Sequence, residues 1–278
     1  MVIYPCCKIN LGLNIVEKRP DGYHNLETVF YPIPLHDTLE VNVMDDEESC
    51  DERCVITTTG DAVECNPKDN LVVKAYNIIA KDYPLPRVRI HLNKVIPSQA
   101  GLGGGSSDAA NMIKLLNIMF NLGMDIPQME QYALQLGADC PFFINSEPTY
   151  ACGLGEIFKP LYYADMLKDM WIVLVKPAIA ISTREAFAGI KPQHSDVNCR
   201  DAVHRPIAEW KDLLTNDFEK TLFPLHKELS EIKAALYEKG AAYAQMSGSG
   251  STVFGIFEAE PHRLDKLFND CRVYTLQL

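Results

Sequence analysis

The chain has 278 residues, 47% of them hydrophobic and 23% charged, which is typical of a globular protein with a sizeable core. With 26 basic and 37 acidic residues its formal net charge is −11, which disfavours nucleic acid and anionic membranes as partners. No apolar run approaches the roughly 18 residues of a membrane span. The N-terminus lacks the basic and apolar regions of a signal peptide, so we expect a cytoplasmic protein.

Nine scattered cysteines, none in C-x-x-C spacing, agree with a reducing compartment. The pair Cys50 and Cys54 lies in an acidic, loop-like stretch, residues 45–52 with their neighbours. We expect no metal there and assign no metal ligands elsewhere. The oligomeric state is left open between a monomer and a weak dimer.

Strands dominate the first part of the chain. Alternating apolar residues predict strands over 4–16, 23–30, 39–44 and 54–59. In the first strand, Lys8 and Asn10 lie on the face opposite the apolar residues. They form a solvated face or serve a function, and the pattern alone leaves both interpretations open.

Helices and strands mix after residue 66. Residues 67–70 cap a predicted helix that runs to about residue 81 and precedes a strand around 88–92. Another helix follows Pro127 and ends at Gly137 as its C-cap. The remaining pattern predicts strands over 149–152, 156–160, 171–175, 242–245, 252–257 and 273–276, a capped helix start at 182–185, a loop over 194–205, helices within 206–239 and a last helix over 261–269. This irregular order predicts an α+β fold rather than a doubly wound sheet.

A glycine-rich stretch at residues 97–110 connects a strand to a buried helix. Four of the five residues from 101 to 105 are glycine, and Ser106, Ser107 and Asp108 follow as good capping residues. Glycines allow several backbone N–H groups to face one ligand, and the helix start adds unpaired amides and a positive dipole end. The stretch therefore predicts a phosphate-binding loop; the alternative is a tight turn, with either serine acting only as an N-cap.

Two common phosphate-loop motifs do not match. No lysine follows Gly105, as a P-loop would require. The dinucleotide fingerprint G-x-G-x-x-G fails because its last position falls on Ser106 or Asp108.

Asp139 is the candidate general base. It lies between a predicted helix end and a proline, among apolar residues, where a carboxylate is costly to bury without a partner. Lys8 is the most attractive partner, because a nearby cation keeps an aspartate ionised. The alternative is that Asp139 caps the next short helix.

The stretch from Pro97 to Ser107 resembles, at every position, the P-x-x-x-G-L-G-G-G-S-S phosphate loop of the GHMP small-molecule kinases. Further blocks occur in the order seen in one branch of this family, namely residues 5–13, 19–28, 136–143, 153–156, 216–219 and 246–251. Members of that branch phosphorylate the 2-hydroxyl of 4-diphosphocytidyl-2-C-methyl-D-erythritol in the non-mevalonate isoprenoid pathway. The resemblance covers nearly the whole chain.

The resemblance implies a two-lobed fold with a catalytic cleft, an ATP-binding domain over residues 1–155 and a C-terminal domain over 156–278. It implies ATP and Mg²⁺, with Asp139 as the base and Lys8 as its cation. It assigns the phosphate cradle to Pro97, Gly101, Leu102, Gly103, Gly104, Gly105, Ser106 and Ser107. It assigns the substrate to Asn10, Tyr23, His24, Gly248, Ser249 and Gly250, with Tyr23 and His24 beside cytosine.

Two other functions stay open on the sequence. Another GHMP enzyme, such as a mevalonate-pathway kinase, has no need for Tyr23 and His24 as a cytosine site. A non-catalytic ATP-binding protein on the same scaffold commonly loses the base or its cation, but this chain has both Asp139 and Lys8. The alternative to a base-binding pair is that Tyr23 packs as an ordinary strand residue and His24 is an exposed imidazole.

Overall fold

The computed structural model describes residues 1–45, 52–61, 65–161, 166–195 and 197–278. Cys50 and most of the acidic stretch 45–52 therefore lie outside the described residues, as does part of the predicted loop 194–205. The described chain forms two compact units that interleave along the sequence. Unit 1 comprises residues 1–7, 35–98 and 103–146, and unit 2 comprises 8–34, 99–102 and 147–278.

The first half of the chain contains six strands and four helices within the described ranges. They are β1 Val2–Ile3, β2 Cys6–Lys18, β3 His24–His36, β4 Thr38–Val43, β5 Cys54–Gly60, α1 Leu71–Asp82, β6 Val88–Lys94, α2 Gly104–Met119, α3 Ile126–Leu134 and α4 Phe142–Asn145.

The second half continues with six strands and five helices, again counted over the described ranges. They are β7 Thr149–Gly153, β8 Ile157–Pro160, β9 Trp171–Pro177, α5 Thr183–Phe187, α6 Cys199–Ala202, α7 Ile207–Leu213, α8 Asp217–Leu222, α9 Lys227–Glu238, β10 Tyr243–Met246, β11 Val253–Phe257 and β12 Cys271–Gln277. Helices and strands mix without regular alternation, so the predicted α+β class is confirmed.

Unit 1 is built on a four-stranded sheet in the order β1-β4-β6-β5, in which β5 and β6 are parallel. In β6, Val88, Ile90 and Leu92 are buried as their alternation predicts. Helix α1 packs on α2 and β5, and α2 packs on α3 and α4. The side chain of Asn70 caps α1 by accepting a hydrogen bond from Val72 N (2.9 Å). This packing positions α2, which begins within the glycine-rich stretch.

Unit 2 contains two four-stranded sheets, β2-β3-β7-β8 and β10-β11-β9-β12. The second sheet is antiparallel at every pairing, with β9 between β11 and β12. Helix α9 packs on β10 and β11. Leu13 and Ile15 of β2 are buried in the core of this unit. Strand β2 thus carries its polar residues next to a well-packed core.

Several predicted boundaries are wrong, for local reasons. Helix α2 begins at Gly104 with Gly103 as its N-cap, so Ser106 and Ser107 are not caps. Helix α3 ends at Leu134 with Gln135 as its C-cap, so Gly137 does not cap it. The predicted last helix reduces to a single 3₁₀ turn, Leu264–Lys266, and the predicted loop 194–205 contains α6.

Candidate active site

The polar face of β2 is buried. Lys8 is 3% exposed and Asn10 is 2% exposed, so a solvated face is the wrong interpretation of this pattern. Lys8 Nζ donates hydrogen bonds to Asn10 Oδ1 (2.7 Å) and to the carbonyl oxygen of Gly101 (3.2 Å). It also lies 5.0 Å from the centroid of the Phe30 ring. A buried ammonium group therefore lies beside the first glycine of the predicted phosphate loop.

The segment 99–102 is fixed by contacts within unit 2. Lys8 N donates to Leu102 O (3.0 Å), and Ser247 Oγ donates to Gly101 O (2.8 Å). Gly101 has φ +74°, and a Cβ at this position would lie 2.0 Å from Ser247 O. Only glycine fits here, because both the left-handed backbone and the approach of Ser247 exclude a side chain.

The second glycine-serine loop, residues 246–251, lies against the same segment. Asn216 is buried and its Nδ2 donates to Met246 O and to Gly248 O, each at 2.8 Å. Gly248 is close enough to the first loop that a Cβ there would lie 3.3 Å from both Asn10 Oδ1 and Gly101 O. Unit 2 thus brings together five of the predicted site residues: Lys8, Asn10, Gly101, Leu102 and Gly248.

The other two predicted residues of this loop also belong to unit 2. Gly250 is buried and its N–H donates to Ser247 O (3.0 Å), while Ser249 is half-buried. Ser251 Oγ donates to Ile179 O (2.7 Å), which ties the loop to the segment before α5. No contact in the structure assigns Ser249 or Gly250 to a ligand, so their substrate role stays a prediction.

Tyr23 and His24 differ in their surroundings. Tyr23 is 64% exposed and follows the turn in which Arg19 N donates to Tyr23 O (2.8 Å). His24 starts β3, and its ring stacks on Phe187 with centroids 4.9 Å apart and planes 23° apart. His24 thus contacts an aromatic ring of α5, and the expected place of both residues beside cytosine stays a prediction. Phe187 carried no motif that could have identified this contact.

The rest of the predicted phosphate cradle belongs to unit 1. Residues 103–107 lead into and begin α2, and Ser107 N closes its first hydrogen bond on Gly103 O (2.9 Å). Amides of a first helical turn have no partner within the helix and carry the positive end of its dipole. Gly105 is exposed, whereas Pro97 and Ser107 are buried. The helix start can therefore present N–H groups to an anion, as the sequence predicts.

Asp139 lies in the turn before α4 and is half-buried. The N-cap of α4 is Pro141, so Asp139 does not occupy the N-cap position. The neighbouring Cys140 is fully buried, and its burial raises the pKa of the thiol to about 11, although a hydrogen bond with Ser106 opposes this. That hydrogen bond connects the Asp139 turn to the first turn of α2 within unit 1.

A buried cluster of charged side chains next to the start of α2 could not be predicted from the sequence. Lys94 Nζ pairs with Asp37 and with Asp108 Oδ2, the latter at 2.7 Å. Asp37 Oδ1 also accepts hydrogen bonds from Val95 N (2.6 Å) and Ile96 N (2.9 Å). Burial raises the pKa of Asp108 to about 7, although Lys94 opposes this. Of these three residues, the sequence pattern singled out only Asp108, as one of the polar residues that follow the glycines.

Lys8 and Asp139 belong to different units. Their pairing as cation and base, inferred from residue types and resemblance, stays a prediction. Within the described ranges, no cluster of three His, Cys, Asp or Glu residues could hold a metal ion. None of the helices in those ranges is both long and apolar enough to span a membrane.

Comparisons with known proteins identify two domain models in this chain. The model of the GHMP kinases N-terminal domain matches residues 70–147, and that of the GHMP kinases C-terminal domain matches residues 200–270.

Two relatives and one solved structure are similar over nearly all of the chain. A protein of Bacteroides fragilis named 4-diphosphocytidyl-2-C-methyl-D-erythritol kinase is 53% identical over 94% of this chain and 93% of its own length. One of the same name from Parabacteroides distasonis is 47% identical over 100% of both chains. A crystal structure of 4-(cytidine 5'-diphospho)-2C-methyl-D-erythritol kinase matches with TM-score 0.84 and 29% identity, over 100% of this chain and 98% of that one.

Proposed function

Because this chain belongs to the GHMP kinases, within the family of the 4-diphosphocytidyl-2-C-methyl-D-erythritol kinases, we propose that it phosphorylates that substrate with ATP. The phosphoryl group passes from ATP to the 2-hydroxyl of the methylerythritol unit, a step of the non-mevalonate isoprenoid pathway. The observation that carries the proposal is the buried Lys8, hydrogen-bonded to the first glycine of a kinase phosphate loop. A non-catalytic protein has no need for a buried ammonium group at this position.

Phosphoryl transfer needs a cradle for the triphosphate, a group that orients the hydroxyl and a cation that stabilises the developing charge. We assign the cradle to Pro97 and residues 101–107, whose helix start presents backbone amides. Asp139 orients and deprotonates the acceptor hydroxyl. Lys8 supplies the cation, and its hydrogen bonds to Asn10 and Gly101 hold the ammonium group in one place.

Mg²⁺ enters with the nucleotide, as part of the substrate MgATP. Mg²⁺ usually keeps several waters and binds through phosphates with few protein ligands.

The cytidine end of the substrate is assigned to Tyr23 and His24. His24 is held by its stack on Phe187, which fixes the plane of the imidazole. Tyr23 leaves a large exposed ring that can stack on a base. Asn10, Gly248, Ser249 and Gly250 are assigned to the part of the substrate nearer the phosphates.

The residue ranges 1–155 and 156–278 are proposed as the N-terminal ATP-binding and the C-terminal domains. The two family models lie on opposite sides of residue 155. The compact units interleave and therefore follow a different division, with residues 8–34 and 99–102 joining the C-terminal part.

We also propose that the enzyme acts in the cytoplasm, as a monomer or weak dimer, on small molecules rather than nucleic acid. Every described cysteine is a free thiol, as a reducing compartment favours. The net charge of −11 opposes binding to polyanions.

An ATP-turnover assay comparing the cytidine-diphosphate substrate with mevalonate and homoserine tests the substrate assignment. We expect turnover with the first substrate only. Preference for mevalonate or homoserine would overturn the substrate assignment but keep the assignment to the GHMP kinases.

Asp139→Asn tests the base, because it keeps the shape but cannot accept a proton. We expect kcat to fall about 10²- to 10⁴-fold in a folded protein, the usual contribution of a positioned base. Because a loose transition state requires little deprotonation, the lower end is compatible with the mechanism. Steady-state kinetics at saturating ATP and substrate measures this, with circular dichroism as the control for folding. A kcat near that of the wild type would refute the assignment.

A further inference from the structure

We propose that Thr28 is a positioning residue that fixes the orientation of the Asn10 amide and, through it, the ammonium group of Lys8. This inference rests on the proposed role of Lys8. Thr28 is not among the predicted site residues. Thr28 is fully buried on β3, and Asn10 and Lys8 are 2% and 3% exposed on β2. The three side chains form one hydrogen-bonded chain within unit 2.

Gly12 determines which groups donate and which accept in this series of hydrogen bonds. The carbonyl oxygen of Gly12 can only accept, so the hydroxyl of Thr28, 2.5 Å away, must donate its single proton there. The oxygen of that hydroxyl can then only accept from Asn10, whose side-chain nitrogen lies 2.9 Å away. The amide of Asn10 therefore presents its NH₂ group to Thr28 and its oxygen to the opposite side.

The same orientation follows from the other end of the chain. An ammonium group only donates hydrogen bonds, so Lys8 Nζ requires the oxygen of Asn10, at 2.7 Å. The two nearly isosteric ends of an amide are thus assigned by two independent partners. Gly12 itself is held in place, because Gly12 N donates to Gln245 Oε1 (2.9 Å) and a Cβ at position 12 would lie 2.6 Å from Cys199 Sγ.

Removing the hydroxyl of Thr28 should shift the ammonium group of Lys8, although Lys8 itself is unchanged. The Asn10 NH₂ group would lose its acceptor in a buried site, where an unpaired polar group is unfavourable. The amide would then gain from rotating or shifting toward other acceptors, and either motion withdraws the oxygen that holds Lys8. A catalytic group displaced by about 1 Å can cost about 10²-fold in rate.

The experiment compares Thr28→Val, Thr28→Ala and Thr28→Ser. Valine keeps the shape and lacks the hydroxyl, alanine lacks it without requiring that a second methyl group fit, and serine keeps it. We expect kcat to fall about 10- to 100-fold in the first two, with KM for ATP within about twofold of the wild type, and serine to restore most of kcat. The matched control is Thr252→Val, because Thr252 is fully buried and its hydroxyl has no hydrogen-bond partner within the described ranges.

Thermal unfolding and a Lys8→Met background separate the possible outcomes. In that background, Thr28→Val should lower kcat no further, because both changes act through the same ammonium group. If Lys8→Met alone kept kcat, the proposed role of Lys8 would fail, and the role of Thr28 with it. If Lys8→Met lost activity while folded Thr28→Val and Thr28→Ala kept theirs, or if Thr252→Val lost as much as they did, the positioning role alone would fail.

Discussion

The glycine-rich stretch is held in two different ways on the two sides of the peptide bond between Leu102 and Gly103. The first half, residues 99–102, belongs to unit 2, and its Gly101 fits against the backbone of Ser247. The second half belongs to unit 1, where it becomes the first turn of α2 with an exposed Gly105. Glycines of one motif therefore have different surroundings: Gly101 is required by close protein packing, whereas we propose that the exposed Gly105 leaves space for a ligand.

The second half also adjoins a buried cluster of ion pairs, whereas the first half contacts the single ammonium group of Lys8. Behind α2, the buried Lys94 pairs with Asp37 and Asp108. Lys94 Nζ lies 3.3 Å from the position that a Cβ on Gly104 would take, so the cluster adjoins the helix start directly. We therefore expect loss of the Lys94 ion pairs, or added volume at Gly101, to cost more stability than added volume at the exposed Gly105.

Lys94→Met should have the largest effect on stability. It leaves two carboxylates buried without their cation, and breaking a buried ion pair in this way typically costs about 3–5 kcal/mol. Urea denaturation measures the loss. The control is Lys220→Met, because Lys220 also pairs with an aspartate at 2.7 Å but its side chain is 68% exposed. The control should lose at most about 1 kcal/mol, and equal losses would show that burial of the Lys94 cluster is irrelevant.

Gly101→Ala should come next, at about 2–4 kcal/mol of destabilisation. A methyl group at φ +74° is strained, and it would meet Ser247 O at 2.0 Å. Gly123→Ala is the matched control, since Gly123 has φ +72° with nothing within 4 Å of the added Cβ. It carries the backbone strain without the clash, so we expect about 1–2 kcal/mol. Identical unfolding midpoints for the two variants would contradict close packing of the first half.

The sequence predicts local features well when they depend on neighbouring residues. The alternation in β6 and the capping of α1 by Asn70 need only a few adjacent side chains, and both are found. The start of α2 was predicted two residues late, because Gly104 and Gly105 have low helix propensity and tertiary packing overrides it.

The partners of the site residues could not be predicted in the same way. Asp37 and Lys94 are 57 residues apart and Asn216 and Gly248 are 32 apart, so no local pattern connects them. The residue pattern marked Lys8, Asn10 and Asp139 as candidates, and the resemblance assigned their roles. It did not indicate that Thr28 lies between Asn10 and Gly12, which requires the pairing of side chains from two strands.

The smallest expected effect on stability, and the most direct test of the second half, is Gly105→Ala. A Cβ on Gly105 would meet only Leu71 Cδ1, at 3.8 Å, which is an ordinary contact. Because alanine is the better helix former, the protein should be unchanged or more stable by up to about 1 kcal/mol. Gly104 is a poorer choice for this test, since its Cβ would lie 2.9 Å from Ile96 Cγ2 and mix packing strain with ligand effects.

Binding of ATP should respond to Gly105→Ala in the opposite direction from stability. If the amides of residues 103–107 face the phosphates, the exposed methyl group occupies ligand space, and we expect Kd for ATP to rise about tenfold, or about 1.4 kcal/mol. Calorimetric titration with ATP, and separately with the cytidine substrate, measures both affinities. Binding of the cytidine substrate should stay the same, because the change lies in the triphosphate cradle. A stable variant with unchanged ATP affinity would show that the exposed half of the glycine stretch does not hold the nucleotide.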